Sequence, residues 1–202
     1  MKKTNAKGKL IVLYGINNLG KTTQANMIVD YFNKKNINTE YIKYPIYNQK
    51  PTGKLINEYL RGGNPNNFNP REFQILQYVN KVNFENTLKK KLNNGVNIIA
   101  EDYSGTSIAW GASAGVDIKF LEYLYSFAYK EDLAILFDGK RFTDSIEKNH
   151  KHENNNVLIE RVRQVHLELA EKYNWQKIDA NQTINEIHCK ILKIINKIII
   201  NN

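Results

Sequence analysis

The 202-residue chain carries a single cysteine, Cys189. No internal disulfide and no cysteine-built metal site can form, which fits a reducing compartment such as the cytoplasm. Arginine is scarce as well: Arg61, Arg71, Arg141, Arg161 and Arg163 are the only ones, the remaining basic charge being lysine. A site that grips phosphate with a planar guanidinium fork therefore has few candidates. Long apolar runs are missing. The basic start leads only into Leu10 to Tyr14, too short for the core of a secretion signal, and Ile187 to Ile200 is broken by Lys190, Lys193 and Lys197. Neither stretch reads as a membrane span, so a soluble protein is expected, with the last segment an amphipathic helix closing the fold. No internal repeat and no dividing linker is visible, and residues 1–202 read as one domain.

What is present is positive charge and an alternating pattern. The formal net charge of +9 suits an anionic partner, whether nucleotide, nucleic acid or acidic surface. Nothing like an aromatic-interleaved basic stretch accompanies it, and Lys89 to Lys91 reads as a solvated helix face, so no nucleic-acid partner is expected. Short apolar runs at Leu10 to Tyr14, Thr39 to Ile42, Asn97 to Ala100, Leu133 to Phe137 and Trp175 to Ile178 predict strands. Between them lie helical patterns at about 21–34, 52–60, 70–92, 104–114, 117–128, 157–172 and 183–198. Runs apolar on both faces belong in a buried parallel sheet with helices as crossovers, so the expected class is α/β with about five parallel strands flanked by helices.

Gly15-Ile16-Asn17-Asn18-Leu19-Gly20-Lys21-Thr22 fits the G-x-x-x-x-G-K-[ST] phosphate loop, and it stands where that loop must stand, between a predicted strand and a predicted helix. Backbone N–H groups turned inward at a helix N-terminus cradle phosphate; Lys21 reaches the β- and γ-phosphates and the Thr22 hydroxyl ligates Mg²⁺. A nucleoside triphosphate is the expected ligand. The third predicted strand ends in two carboxylates, Glu101 and Asp102, as a metal-holding acid requires.

These residues resemble the thymidylate kinases, P-loop kinases that move the ATP γ-phosphate to dTMP. The resemblance runs from the phosphate loop with Lys21-Thr22-Thr23-Gln24, through Thr52-Gly53-Lys54-Leu55-Ile56 with Tyr59-Leu60, and Glu101-Asp102-Tyr103 in the place of Asp-Arg-Tyr with the aromatic-Gly pair Trp110-Gly111. It continues at Glu160-Arg161-Val162-Arg163 with Leu167 to Ala170, and at Asp179-Ala180-Asn181-Gln182-Thr183, similar to a loop lying against adenine. It implies ATP and a nucleoside monophosphate as substrates, Mg²⁺, a homodimer through packed helices and a small lid at about 148–156. It assigns ATP to Gly15, Asn18, Leu19, Gly20, Lys21, Thr22, Thr23, Arg141, Ala180 and Gln182. The acceptor falls to Asn17, Lys43, Tyr44, Tyr47, Gln77, Lys81, Asp102, Tyr103 and Trp110. Metal falls to Thr22, Glu101 and Asp102, and catalysis to Lys21 and Glu101 with the lid residues Lys148 and Lys151.

Several of these positions depart from the family pattern. Asp102 stands where the family's Arg contacts the acceptor phosphate, and a carboxylate about 4 Å from a phosphate reverses an attraction of several kcal/mol. Asp102 is therefore expected on the metal side, with the acceptor phosphate left to Lys43, Lys81, Arg71 or Arg141. Tyr47 lies where another phosphate-contacting Arg is often found. Gln77, or Tyr78 in a register shifted by one, takes the place of the aromatic that stacks on thymine, and Lys81 that of the Arg to its carbonyl. Without an Arg in the phosphate loop, Lys151 is the expected lid cation. The alternative is a deoxynucleoside kinase on the same fold, with Glu101 as the base for a hydroxyl acceptor.

Overall fold

The computed structural model describes residues 7–142 and 155–200. Five strands, β1 (Leu10–Tyr14), β2 (Thr39–Lys43), β3 (Asn97–Glu101), β4 (Leu133–Asp138) and β5 (Gln176–Asp179), form one parallel sheet in the order β2-β3-β1-β4-β5. The helices are α1 (Lys21–Asn33), α2 (Thr52–Arg61), α3 (Pro70–Asn93), α4 (Ser104–Ser113), α5 (Ile118–Tyr125), α6 (Asn156–Lys172) and α7 (Ile184–Ile199). Each predicted run appears, most bounds shifting by only a residue or two.

The central strand shows why. Every residue of β1 is fully buried: Ile11 and Leu13 join the core on one face of the sheet, Leu10, Val12 and Tyr14 the core on the other. A strand buried on both faces needs helices on both, and right-handed crossovers supply them. The edge strands β2 and β5 bury fewer residues. Helix starts are fixed by side chains. Asn69 and Glu72 form a capping box around Pro70 at α3, and Thr183 with Glu186 does the same at α7. On α7, Ile187, Ile191 and Ile195 face the core, so the lysine-broken isoleucine segment closes the fold as an amphipathic helix. Among the described residues no helix is long and apolar enough to cross a membrane.

β1 lies between β3 and β4, and the chain leaves the two sides of β1 in opposite directions. At such a switch point a crevice opens beyond the carboxyl ends of the strands, and the phosphate loop and Glu101 both stand there.

Candidate active site

The loop after β1 turns into α1 at Gly20, whose φ of 80° lies in the left-handed region that glycine enters without a Cβ penalty. No side chain caps α1. Its first-turn N–H groups therefore face the crevice with the positive end of the helix dipole, a ready anion site. Lys21 is 3% exposed and folds back over the loop, its Nζ donating to the carbonyls of Gly15 (3.0 Å) and Ile16 (2.8 Å), 3.6 Å from Asp102 Oδ1. The Phe142 N–H donates to Asn18 O (2.8 Å) and ties the segment after β4 to the same loop.

Register brings the next group together. Lys43 on β2 pairs with Glu101 on β3, which pairs with Leu13 on β1, and paired residues share a face of the sheet. Glu101 Oε1 accepts from Lys43 Nζ (2.9 Å); Oε2 accepts from the hydroxyls of Tyr41 (2.6 Å) and Thr22 (2.8 Å). Burial alone would raise the Glu101 pKa, but Lys21, Lys43 and the Tyr41 hydroxyl outweigh it and hold the carboxyl below the ordinary glutamate value. Asp102 goes the other way: burial and the neighbouring Glu101 charge outweigh Lys21 and hold it above the ordinary aspartate value. Its backbone is left-handed, φ 60°, and its Oδ1 accepts from the Thr106 hydroxyl (3.2 Å).

The sign of that shift yields a stability prediction. A carboxyl whose folded pKa is raised costs nothing below its unfolded value of about 3.9; the cost grows as pH rises from there to the folded value and stays constant above it. Asp102→Asn keeps the Thr106 bond and tolerates the left-handed backbone. It should raise the melting temperature at pH 8. The gain should vanish toward pH 4, while activity falls. Thermal melts across this range check it, and a variant less stable than wild type at pH 8 counts against the assignment.

From the loop a cavity of about 550 Å³ runs between α2, α3 and α4. Asn80 holds its far wall in place, accepting from Ile46 N–H (2.8 Å) and donating to Ile46 O (3.0 Å) and the Thr52 hydroxyl (2.9 Å). At the inner end Lys81, 2% exposed, donates to Ser107 Oγ (2.9 Å) and lies 5.7 Å from the Tyr44 ring centroid and 5.6 Å from that of Tyr125. Burial, only partly offset by Asp102, pulls its pKa down to about 7. Phe73, stacked on Tyr59 at 3.7 Å, and Trp110 give this end its aromatic surface.

The sequence profile described as thymidylate kinase matches residues 13–191. The chain belongs to the thymidylate kinase family. Members of this family are ATP-dependent nucleoside monophosphate kinases. A thymidylate kinase of Dictyostelium discoideum is 27% identical over 95% of this chain and 87% of its own length. One of Legionella pneumophila is 27% identical over 96% and 97%. A solved thymidylate kinase structure from Candida albicans superposes with a TM-score of 0.81 at 24% identity, covering 96% of this chain and 93% of that one. The last comparison supports the shared fold.

Residues Asn17 to Thr23 of the family's phosphate loop line the cavity, as do Lys43, Tyr44 and Tyr47 from the β2 side. Gln77 and Lys81 line it from α3, Glu101, Asp102 and Trp110 from the β3–α4 side, and Gln182 from the loop before α7. Four assigned residues do not line it. Gly15 contributes only its carbonyl, to Lys21. Tyr103 is 1% exposed and packs on Tyr44 beneath the site. Ala180 is fully buried, its N–H donating to Asp138 O (2.8 Å), and Arg141 lies off the cavity wall. Of the other proposed phosphate cations, Arg71 sits 4.3 Å over the Phe120 ring, away from the cavity. Lys148 and Lys151 lie outside the described residues.

Several contributors escaped the sequence reading, Ser107 beside Lys81 among them. Tyr41 is two residues before Lys43 on one strand face, a period-2 signal. Phe73 lies one helical turn before Gln77 and gives an aromatic surface that position 77 lacks. Arg61, at the end of α2, donates to the Tyr47 hydroxyl (2.9 Å) and adds a cation to the wall. Phe142 lines the cavity beside the phosphate loop, to which its N–H is bonded.

Proposed function

We propose that this chain transfers the γ-phosphate of ATP to dTMP, giving dTDP, as a single cytoplasmic domain. One observation carries the reading: the uncapped α1 N-terminus with Lys21 and the buried Lys81–Ser107 pair line the same cavity. Donor phosphates belong on the loop, with Gln182 toward the adenine. The acceptor lies across α3 and α4 with its base at the inner end. Lys43 and Arg61 face its phosphate; Asp102 is turned toward Lys21 and Thr106.

The chemistry then needs positioning and charge neutralisation more than proton removal. A phosphate monoester with a second pKa of about 6 is mostly dianionic near pH 7 and attacks as it stands. Lys21 neutralises the β- and γ-phosphates, and the lid lysines Lys148 and Lys151 are assigned to the transferred group. The family generally uses Mg²⁺. The Thr22 hydroxyl and the Glu101 and Asp102 carboxylates are hard oxygen donors of the kind this ion takes while keeping several waters, so they are the residues to hold it. Mg²⁺ when bound neutralises charge on the phosphates.

The homodimer is assigned to α3. Ile75, Val79 and Val82, at 40, 38 and 38% exposure, form an i, i+4, i+7 apolar stripe there, the pattern of a helix-packing seam. Sedimentation equilibrium should give the mass of two chains, and Val79→Glu should shift it toward one. The activity is tested by product formation from Mg²⁺-ATP with dTMP, dUMP, dCMP, the purine monophosphates and thymidine. Faster turnover of thymidine than of dTMP would overturn the reading.

A further inference from the structure

We infer that Gln74 reads the acceptor base, its carboxamide oxygen accepting the imide N–H of a uracil- or thymine-type ring. The inference rests on the assignment of the inner cavity to the acceptor nucleotide. Gln74 shares a face of α3 with Gln77 and Lys81, at i+3 and i+7, and lines the cavity while only 3% exposed. Its Oε1 is buried with no hydrogen-bond donor. Long amides are seldom this buried, and an orphaned buried acceptor is costly, so a ligand donor is the partner the position lacks. The terminal amide torsion is soft, which lets the oxygen turn to meet it. The fold also makes room for this side chain: a Cβ on Gly111 would come within 2.8 Å of Gln74 Cγ.

The surrounding groups complete a pattern. Lys81 is a donor, and the Ser107 hydroxyl, having accepted from Lys81, has its own proton to give. An imide edge reads carbonyl, N–H, carbonyl. Two donors and one acceptor match it, and Gln74 supplies the acceptor. A cytosine-type edge replaces one carbonyl by an amine and the N–H by a lone pair, setting donor against Lys81 and acceptor against the Gln74 oxygen.

Gln74→Met, close in length and without polar atoms, tests the inference by calorimetric titration with dTMP and by steady-state kinetics with dTMP and dCMP. The dTMP Kd and KM should rise about tenfold while kcat and the KM for ATP change less than twofold. Any dCMP KM should move less than threefold, and the melting temperature should hold or rise because the orphan is gone. An unchanged dTMP Kd, parallel shifts for dTMP and dCMP, or a lowered melting temperature with a general loss of kcat would reduce Gln74 to a packing residue. Wild-type binding of dTMP without turnover would defeat the proposed activity yet leave the titration to decide Gln74.

Discussion

Lys21→Ala should abolish phosphoryl transfer and leave the fold standing. The ammonium is 3% exposed and held by two carbonyls of its own loop and by Asp102. Preorganised charge aimed where negative charge gathers is worth on the order of 10²–10³ in kcat when one donor is removed. Here the loss should reach or exceed the top of that range, because no other described cation lies within the loop. Stability should change little. Removing the ammonium leaves Asp102 beside Glu101, and Asp102, its carboxyl already above the ordinary aspartate value, takes up a proton more readily instead of straining the fold. Steady-state turnover together with circular dichroism decides the matter. Near wild-type kcat in a folded variant would remove this loop as the donor site.

How much of this was legible beforehand follows from the range of each signal. The central strands were readable because burial on both faces leaves a local mark, as the fully buried β1 shows. The phosphate loop was readable because glycine, lysine and threonine must stand at fixed spacing in a single turn. The acceptor end was readable only in part: Lys43, Tyr44, Gln77, Lys81 and Trp110 line the cavity, but other members of its wall leave no local mark. Phe73 presents its ring only because α3 packs against α2, where Tyr59 stacks on it, and Arg61 enters the wall only because α2 ends there. Nothing local to Tyr41 reveals that its hydroxyl meets Glu101, sixty residues away; that takes the β2–β3 register. The burial of Tyr103 has the same long-range origin. This residue follows two site carboxylates, but α4 begins at the next residue and turns its ring beneath the site onto Tyr44.

Glu101→Gln is the second change expected to have a large effect, a fall in kcat on the order of 10² with dTMP. The carboxylate accepts three hydrogen bonds through two oxygens, from Lys43 on one and from Tyr41 and Thr22 on the other. An amide cannot accept on both ends. Its oxygen must stay with Lys43, since an N–H there would face an ammonium, so its nitrogen is turned to the two hydroxyls. The Thr22 hydroxyl then has to accept where it had donated, and its lone pair is drawn away from the metal and phosphates. Lys43 loses an anion, but its side chain is half exposed and can turn to water, so the cost in stability should stay near the about 0–1 kcal/mol of a solvent-reachable pair. A large kcat loss with a nearly unmoved melting temperature is thus the expected signature. The shape of the pH profile separates positioning from base catalysis. With dTMP the rate should rise near pH 6 as the acceptor phosphate loses its second proton, and Glu101→Gln should keep that limb at reduced height. Retention of wild-type kcat within threefold would show that Glu101 does not organise the metal side of the site. Loss of activity with thymidine but not with dTMP would give it the role of a base toward a hydroxyl acceptor.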